Sequence, residues 1–107
     1  MLLAREGKLT ITSKFGFEID AARTILPRVR DSQWVQLKGL ACHIGSQLKS
    51  PAPISEATAA VVRFAKECQA AGIAITTIDV GGGWAVDYGD PEDATAILPP
   101  SAYGQAI

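Results

Sequence analysis

The sequence predicts an α/β fold built from repeated strand–helix units on a parallel sheet. Runs with strand character alternate with runs of helical spacing, in the order strand, helix, strand, helix, strand, loop, helix start. The third strand run, Ile73 to Val80, is apolar almost throughout, as suits a parallel strand covered on both faces. The second and third runs both end in glycine-containing loops, Cys42-His43-Ile44-Gly45-Ser46-Gln47 and Asp79-Val80-Gly81-Gly82-Gly83-Trp84. Strand ends of this kind are where α/β sheets and barrels place their ligands.

Taken in order, Lys8 to Thr12 alternates polar and apolar residues and reads as a short first strand. The loop Ser13-Lys14-Phe15-Gly16-Phe17 follows. Asp20 is placed to cap a helix beginning at Ala21, with Ile25 and Val29 on its inner face. Pro27 should end or kink that helix, because it lacks a backbone donor and clashes with the preceding turn. After the turn Asp31-Ser32-Gln33, Val35 to Ala41 reads as the second strand.

Ser50-Pro51-Ala52-Pro53 opens a second helix, since proline suits a first turn and serine can cap it. Ile54, Ala57, Val61, Phe64, Ala65 and Cys68 form its apolar stripe, with the charged residues mostly elsewhere. The helix should reach about Ala71, with Gly72 as the left-handed residue that ends it. Beyond the third strand, Asp87 to Asp93 is a polar loop, and Pro99-Pro100-Ser101 starts another helix.

A chain of 107 residues suits one small domain, and 48% hydrophobic with 20% charged residues makes it globular rather than disordered. A net charge of −1 without a Lys/Arg cluster gives no electrostatic basis for binding nucleic acid or a membrane surface. No apolar run reaches the roughly 18 residues of a membrane span, and the first residues do not pattern as a signal peptide. Cys42 and Cys68 match no zinc or redox spacing and read as buried free thiols, which fits a reducing cytoplasm.

Gly81-Gly82-Gly83 offers backbone amides unobstructed by side chains, a concavity suited to phosphate, although a tight turn would use glycine equally well. The triplet lacks both the Rossmann spacing and the Gly-Lys-Ser/Thr of a P-loop. His43, the one histidine, has no second ligand at metal spacing, and no acid is placed to make it the base of a triad with Ser46. A structural histidine is one reading of it. The other is a flat imidazole stacked on an aromatic ligand, with Ser46 donating to that ligand's phosphate.

Three segments in order resemble the fold-type III pyridoxal-phosphate decarboxylases: Ser13-Lys14-Phe15-Gly16, Leu40 to Gln47, and Ile78 to Gly83. That family comprises the ornithine, diaminopimelate and arginine decarboxylases. The form His-Ile-Gly-Ser-Gln is most similar to the diaminopimelate branch, while Val86-Asp87-Tyr88 is similar to biosynthetic arginine decarboxylase.

The resemblance implies a partial (β/α)8 TIM-type barrel of the alanine-racemase-like kind, with about three parallel strands. Residues 1–107 would be a central fragment of the cofactor-binding barrel domain. It also implies pyridoxal 5′-phosphate as cofactor, an amino-acid substrate, a homodimeric full-length protein and carboxy-lyase chemistry. His43 would stack on the cofactor ring, Ser46 would contact its phosphate, and Gly81, Gly82 and Gly83 would cradle that phosphate. No catalytic residue is assigned within the chain: the Schiff-base lysine is expected upstream, and Lys14, in its Lys-Phe-Gly setting, is a surface or loop lysine. The chain alone is therefore expected to be inactive and marginally folded, with open strand edges. Trp84 stands where the family has a smaller leucine and would crowd the phosphate loop if it pointed inward. Two rival readings are a non-enzymatic relic or partner-binding module, and an unrelated small phosphate-binding domain.

Overall fold

The computed structural model describes residues 3–5, 8–10, 15–89 and 97–107. Its elements are β1 (Leu3–Arg5), β2 (Lys8–Thr10), α1 (Ile19–Arg30), β3 (Gly39–Ala41), α2 (Ala52–Ala70), β4 (Thr77–Asp79) and α3 (Pro100–Gly104). β3 and β4 pair in parallel, Gly39 opposite Thr77, Leu40 opposite Ile78 and Ala41 opposite Asp79. The right order for a strand–helix–strand unit is thus present, with α2 as the crossover.

The first strand differs from expectation. β2 covers part of the run beginning at Lys8, but it pairs antiparallel with β1, Leu3 opposite Thr10, in a separate sheet. Two residues separate β1 from β2 in sequence, the spacing of a hairpin, so a local partner displaces the distant parallel one. Among the described residues, the parallel sheet therefore has two strands rather than three. Residues 11–14, Lys14 among them, lie outside the described residues.

The two parallel strands are also shorter than their apolar runs. The amides of Trp34 and Val35 both bond the Ser32 hydroxyl, at 3.1 Å each, so the beginning of the second run is a turn. Ile73 is buried at the end of α2, and only Thr77–Asp79 pairs as strand. All three β4 residues are exposed, where coverage on both faces was expected. Among the described residues, β3 and β4 have only each other as strand neighbours.

α1 begins earlier than its sequence suggests. Glu18 is the N-cap residue and makes no side-chain cap bond, while Asp20 sits inside the first turn, where its charge favours the helix dipole. Pro27 does not end the helix, which runs three residues further. A proline so near the C-terminal end removes one bond while the last turn closes without it. Leu26 is the buried residue, with Ile19 and Ala22 packed on the same cluster; Ile25 and Val29 are only half-buried.

α2 follows its sequence closely. Ile54, Ala57, Phe64, Ala65 and Cys68 are buried, and Val61 is half-buried. The helix closes one residue before expectation, at Ala70, in a Schellman arrangement. Ile73 N–H donates to the Cys68 carbonyl at 2.9 Å and Gly72 N–H to that of Gln69 at 3.0 Å, with Gly72 at φ 84°. The accompanying apolar contact joins Ile73 and Cys68 with Leu26 and Phe64 in one cluster. A second cluster unites Ile44, Leu48, Ile54, Ala57 and Tyr103, and it anchors the loop after β3. Both cysteines are free, Cys68 buried and Cys42 half-buried.

Candidate functional site

The loop after β3 alternates inward and outward residues. Ile44 and Leu48 are buried against Ile54 and Ala57 of α2 and Tyr103 of α3, which leaves Ser46 exposed between these anchors and His43 exposed just before them. Burying two large aliphatic side chains contributes on the order of 2 kcal/mol each, enough to hold the loop in one path. The loop after β4 runs beside it in parallel. Cys42 N–H donates to the Asp79 carbonyl at 2.9 Å, Leu48 N–H to that of Gly83 at 2.9 Å, and Ala85 N–H to that of Leu48 at 3.2 Å. The β3–β4 ladder is thereby carried on, across a gap, into a bridge between Leu48 and Trp84.

Close approach of the two backbones explains two of the three glycines. A Cβ on Gly81 would lie 2.4 Å from the Cys42 carbonyl oxygen and 3.3 Å from the Cα of His43. One on Gly83 would lie 1.8 Å from the Gly45 carbonyl oxygen and 3.2 Å from the Cα of Ser46. Both also hold positive φ, 73° and 90°. Gly82 is different: nothing lies within 4 Å of its Cβ position. The structure thus sets His43 beside Gly81 and Ser46 beside Gly83, and leaves open space at Gly82.

The hydrogen-bond inventory fits a phosphate there. The Asp79 carboxylate accepts from Gly81 N–H at 2.8 Å and fixes the turn. Among the described residues, the amides of Gly82 and Gly83 and the hydroxyl of Ser46 have no hydrogen-bond partner. Two adjacent free amides and a hydroxyl beside an open position form a donor set for an anion. Burial, reinforced by Asp79, pushes the Cys42 thiol above its usual range, so it stays protonated beside His43.

Trp84 does not crowd this opening. Its ring stacks on Tyr103, with centroids 5.6 Å apart and planes 9° apart. Tyr103 is wholly buried, and its hydroxyl donates to the Leu48 carbonyl at 2.6 Å. Asp79 and Tyr103, which hold the two loops through these bonds, had no role in the sequence expectation. Of these, Asp79 carried a local signal, an Asp two residues before a glycine.

A family profile described as "Pyridoxal-dependent decarboxylase, pyridoxal binding domain" matches residues 5–99. The chain belongs to this family. The family's domain implies pyridoxal phosphate as the cofactor. Among curated proteins, the chain is 41% identical over 76 residues to the diaminopimelate decarboxylase of Campylobacter jejuni, covering 71% of this chain and 19% of that one. It is 36% identical over 97 residues to that of Vibrio cholerae, covering 89% and 22%. Its fold is similar to the crystal structure of diaminopimelate decarboxylase from Helicobacter pylori complexed with L-lysine. That match has a TM-score of 0.77 and 32% identity, and covers 87% of this chain and 23% of that one. The chain spans about a fifth of the length of these relatives.

Proposed function

We propose that residues 1–107 are a central segment of the pyridoxal-phosphate-holding barrel domain of a diaminopimelate decarboxylase, which converts meso-diaminopimelate to lysine and CO2. The observation that carries this reading is the parallel seam that sets His43 and Ser46 against Gly81 and Gly83. His43 lays its imidazole on the pyridine ring. Ser46 donates its hydroxyl to the phosphate, and the free amides of Gly82 and Gly83 complete the seat. Gly81, with its amide held by Asp79, shapes the turn that presents them. When bound, pyridoxal phosphate supplies an electron-accepting ring for the electron pair left by departing CO2. This segment holds and orients that ring, while the covalent lysine belongs to another part of the enzyme, so the segment alone is inactive. L-lysine, present in the Helicobacter pylori complex, is the product this reaction would give.

In the whole enzyme, β3 and β4 would be neighbouring strands of a (β/α)8 barrel. A groove of about 430 Å³ along β3, lined by Ile19, Leu40, Ala57 and Phe64 among others, supports a further strand there. The exposed β4 supports the same reading on the other side. We place the enzyme in the cytoplasm as a homodimer; no described helix is long and apolar enough to cross a membrane.

Titration of the chain with pyridoxal phosphate tests this function. Saturable binding is expected, weakened roughly three- to tenfold by His43→Ala through loss of ring stacking. Binding of inorganic phosphate should be unchanged by that substitution. Equal pyridoxal-phosphate affinity in both proteins would contradict the assignment of His43.

A further inference from the structure

We infer that Gln47 is a positioning residue: its side-chain amide clamps the His43 loop to the glycine loop and thereby sets the width of the phosphate seat. This rests on the cofactor-holding reading above. Gln47 Nε2 donates to the Val86 carbonyl at 3.0 Å, and Val86 N–H donates to Gln47 Oε1 at 2.9 Å. The amide therefore satisfies both polar groups of a backbone 39 residues away, as a neighbouring strand would. It extends the ladder one step beyond the Leu48–Ala85 bond, where the backbones alone pair no further among the described residues.

Gln47 is also the one described non-glycine residue with positive φ, at 55°. A glutamine there carries strain that the surrounding structure must hold. If the residue served only as a turn, glycine or asparagine would meet the need more easily. The side chain that reaches Val86 is what glutamine adds. Ser46 and Gly83 flank this clamp in sequence, at one and three residues from Gln47 and Val86, so slack at the clamp is slack in the seat.

Two substitutions separate the clamp from mere space-filling. Gln47→Leu removes both hydrogen bonds. Gln47→Glu keeps the shape but sets a carboxylate oxygen against the Val86 carbonyl. Hydrogen exchange of the Ala85 amide in the full chain reads the seam directly. Gln47→Leu should exchange Ala85 about tenfold faster than the wild type, the effect of losing two net hydrogen bonds. Gln47→Glu, which keeps the bond from Val86 N–H but sets two oxygens in opposition, should also exchange it faster. Both should bind pyridoxal phosphate about tenfold more weakly, with little change in affinity for pyridoxal, which lacks the phosphate. Uniform weakening of both ligands, or Ala85 exchange as slow as wild type, would overturn the clamp. An Ala85 amide already unprotected in the wild type would overturn it as well. A wild-type chain that protects Ala85 yet binds no pyridoxal phosphate would instead overturn the cofactor reading and leave the clamp standing.

Discussion

The buried hydroxyl of Tyr103 donates to the backbone carbonyl of Leu48 across 55 residues, at 2.6 Å. That carbonyl also accepts from Ala85 N–H, so a single oxygen joins α3 to the segments that follow β3 and β4. The Tyr103 ring continues the contact by stacking on Trp84. α3 is thus a buttress beneath the seam between the loops.

Tyr103→Phe keeps the ring and removes the hydroxyl. Leu48 retains its backbone donor, so the cost should be about 1 kcal/mol, read as a lower urea midpoint. Tyr103→Ala also removes the stacked ring from a fully buried site and should cost about 3–5 kcal/mol. Equal effects of the two substitutions would mean that the ring packing is dispensable.

Gly82 and Gly83 should respond oppositely to alanine. At Gly83 the new methyl would overlap the Gly45 carbonyl on a left-handed backbone, so Gly83→Ala should cost at least about 2 kcal/mol and part the loops. At Gly82 the methyl meets open space, so Gly82→Ala should leave stability unchanged or raise it by up to about 1 kcal/mol. Comparison of thermal midpoints decides between this pattern and a uniform one.

Acid should loosen the contact between α1 and α2. The Arg23 guanidinium bonds Glu67 through two nitrogens, at 2.7 and 2.8 Å, and holds its carboxyl below the ordinary value near 4.5. A carboxyl lowered on folding contributes stability above its unfolded value, and loses it as pH falls through the folded one. The urea midpoint should therefore decline as pH drops below about 4.5, and Glu67→Gln should flatten part of that decline. The Arg30–Asp31 pair, with Asp31 lowered in the same way, accounts for a slope that remains.

How far the sequence discloses this structure depends on the range of the interactions involved. The α2 stripe and its Gly72 end are local, set by helical spacing and one left-handed residue, and both are plain in the sequence. The two loops are legible as compositions, His-Ile-Gly-Ser-Gln and three glycines, because close backbone approach demands small residues. The lengths of β3 and β4 are not legible, since a parallel strand extends only as far as its partner does. Nor are the roles of Gln47 and Tyr103, which bond backbone groups 39 and 55 residues away and leave no periodic trace. Among the glycines, sequence alone makes all three equal; packing makes Gly81 and Gly83 spacers and Gly82 the open position.

The most direct test of the account is a titration of the isotopically labelled chain with pyridoxal phosphate, following the backbone amide resonances. Saturable shifts are expected at Gly82, Gly83 and Ser46, with His43 ring resonances moving in step, and smaller shifts at the same glycines with inorganic phosphate. Shifts that bypass the glycine loop, or that cluster instead at the far end of the sheet around Trp34 and Ala74, would contradict it.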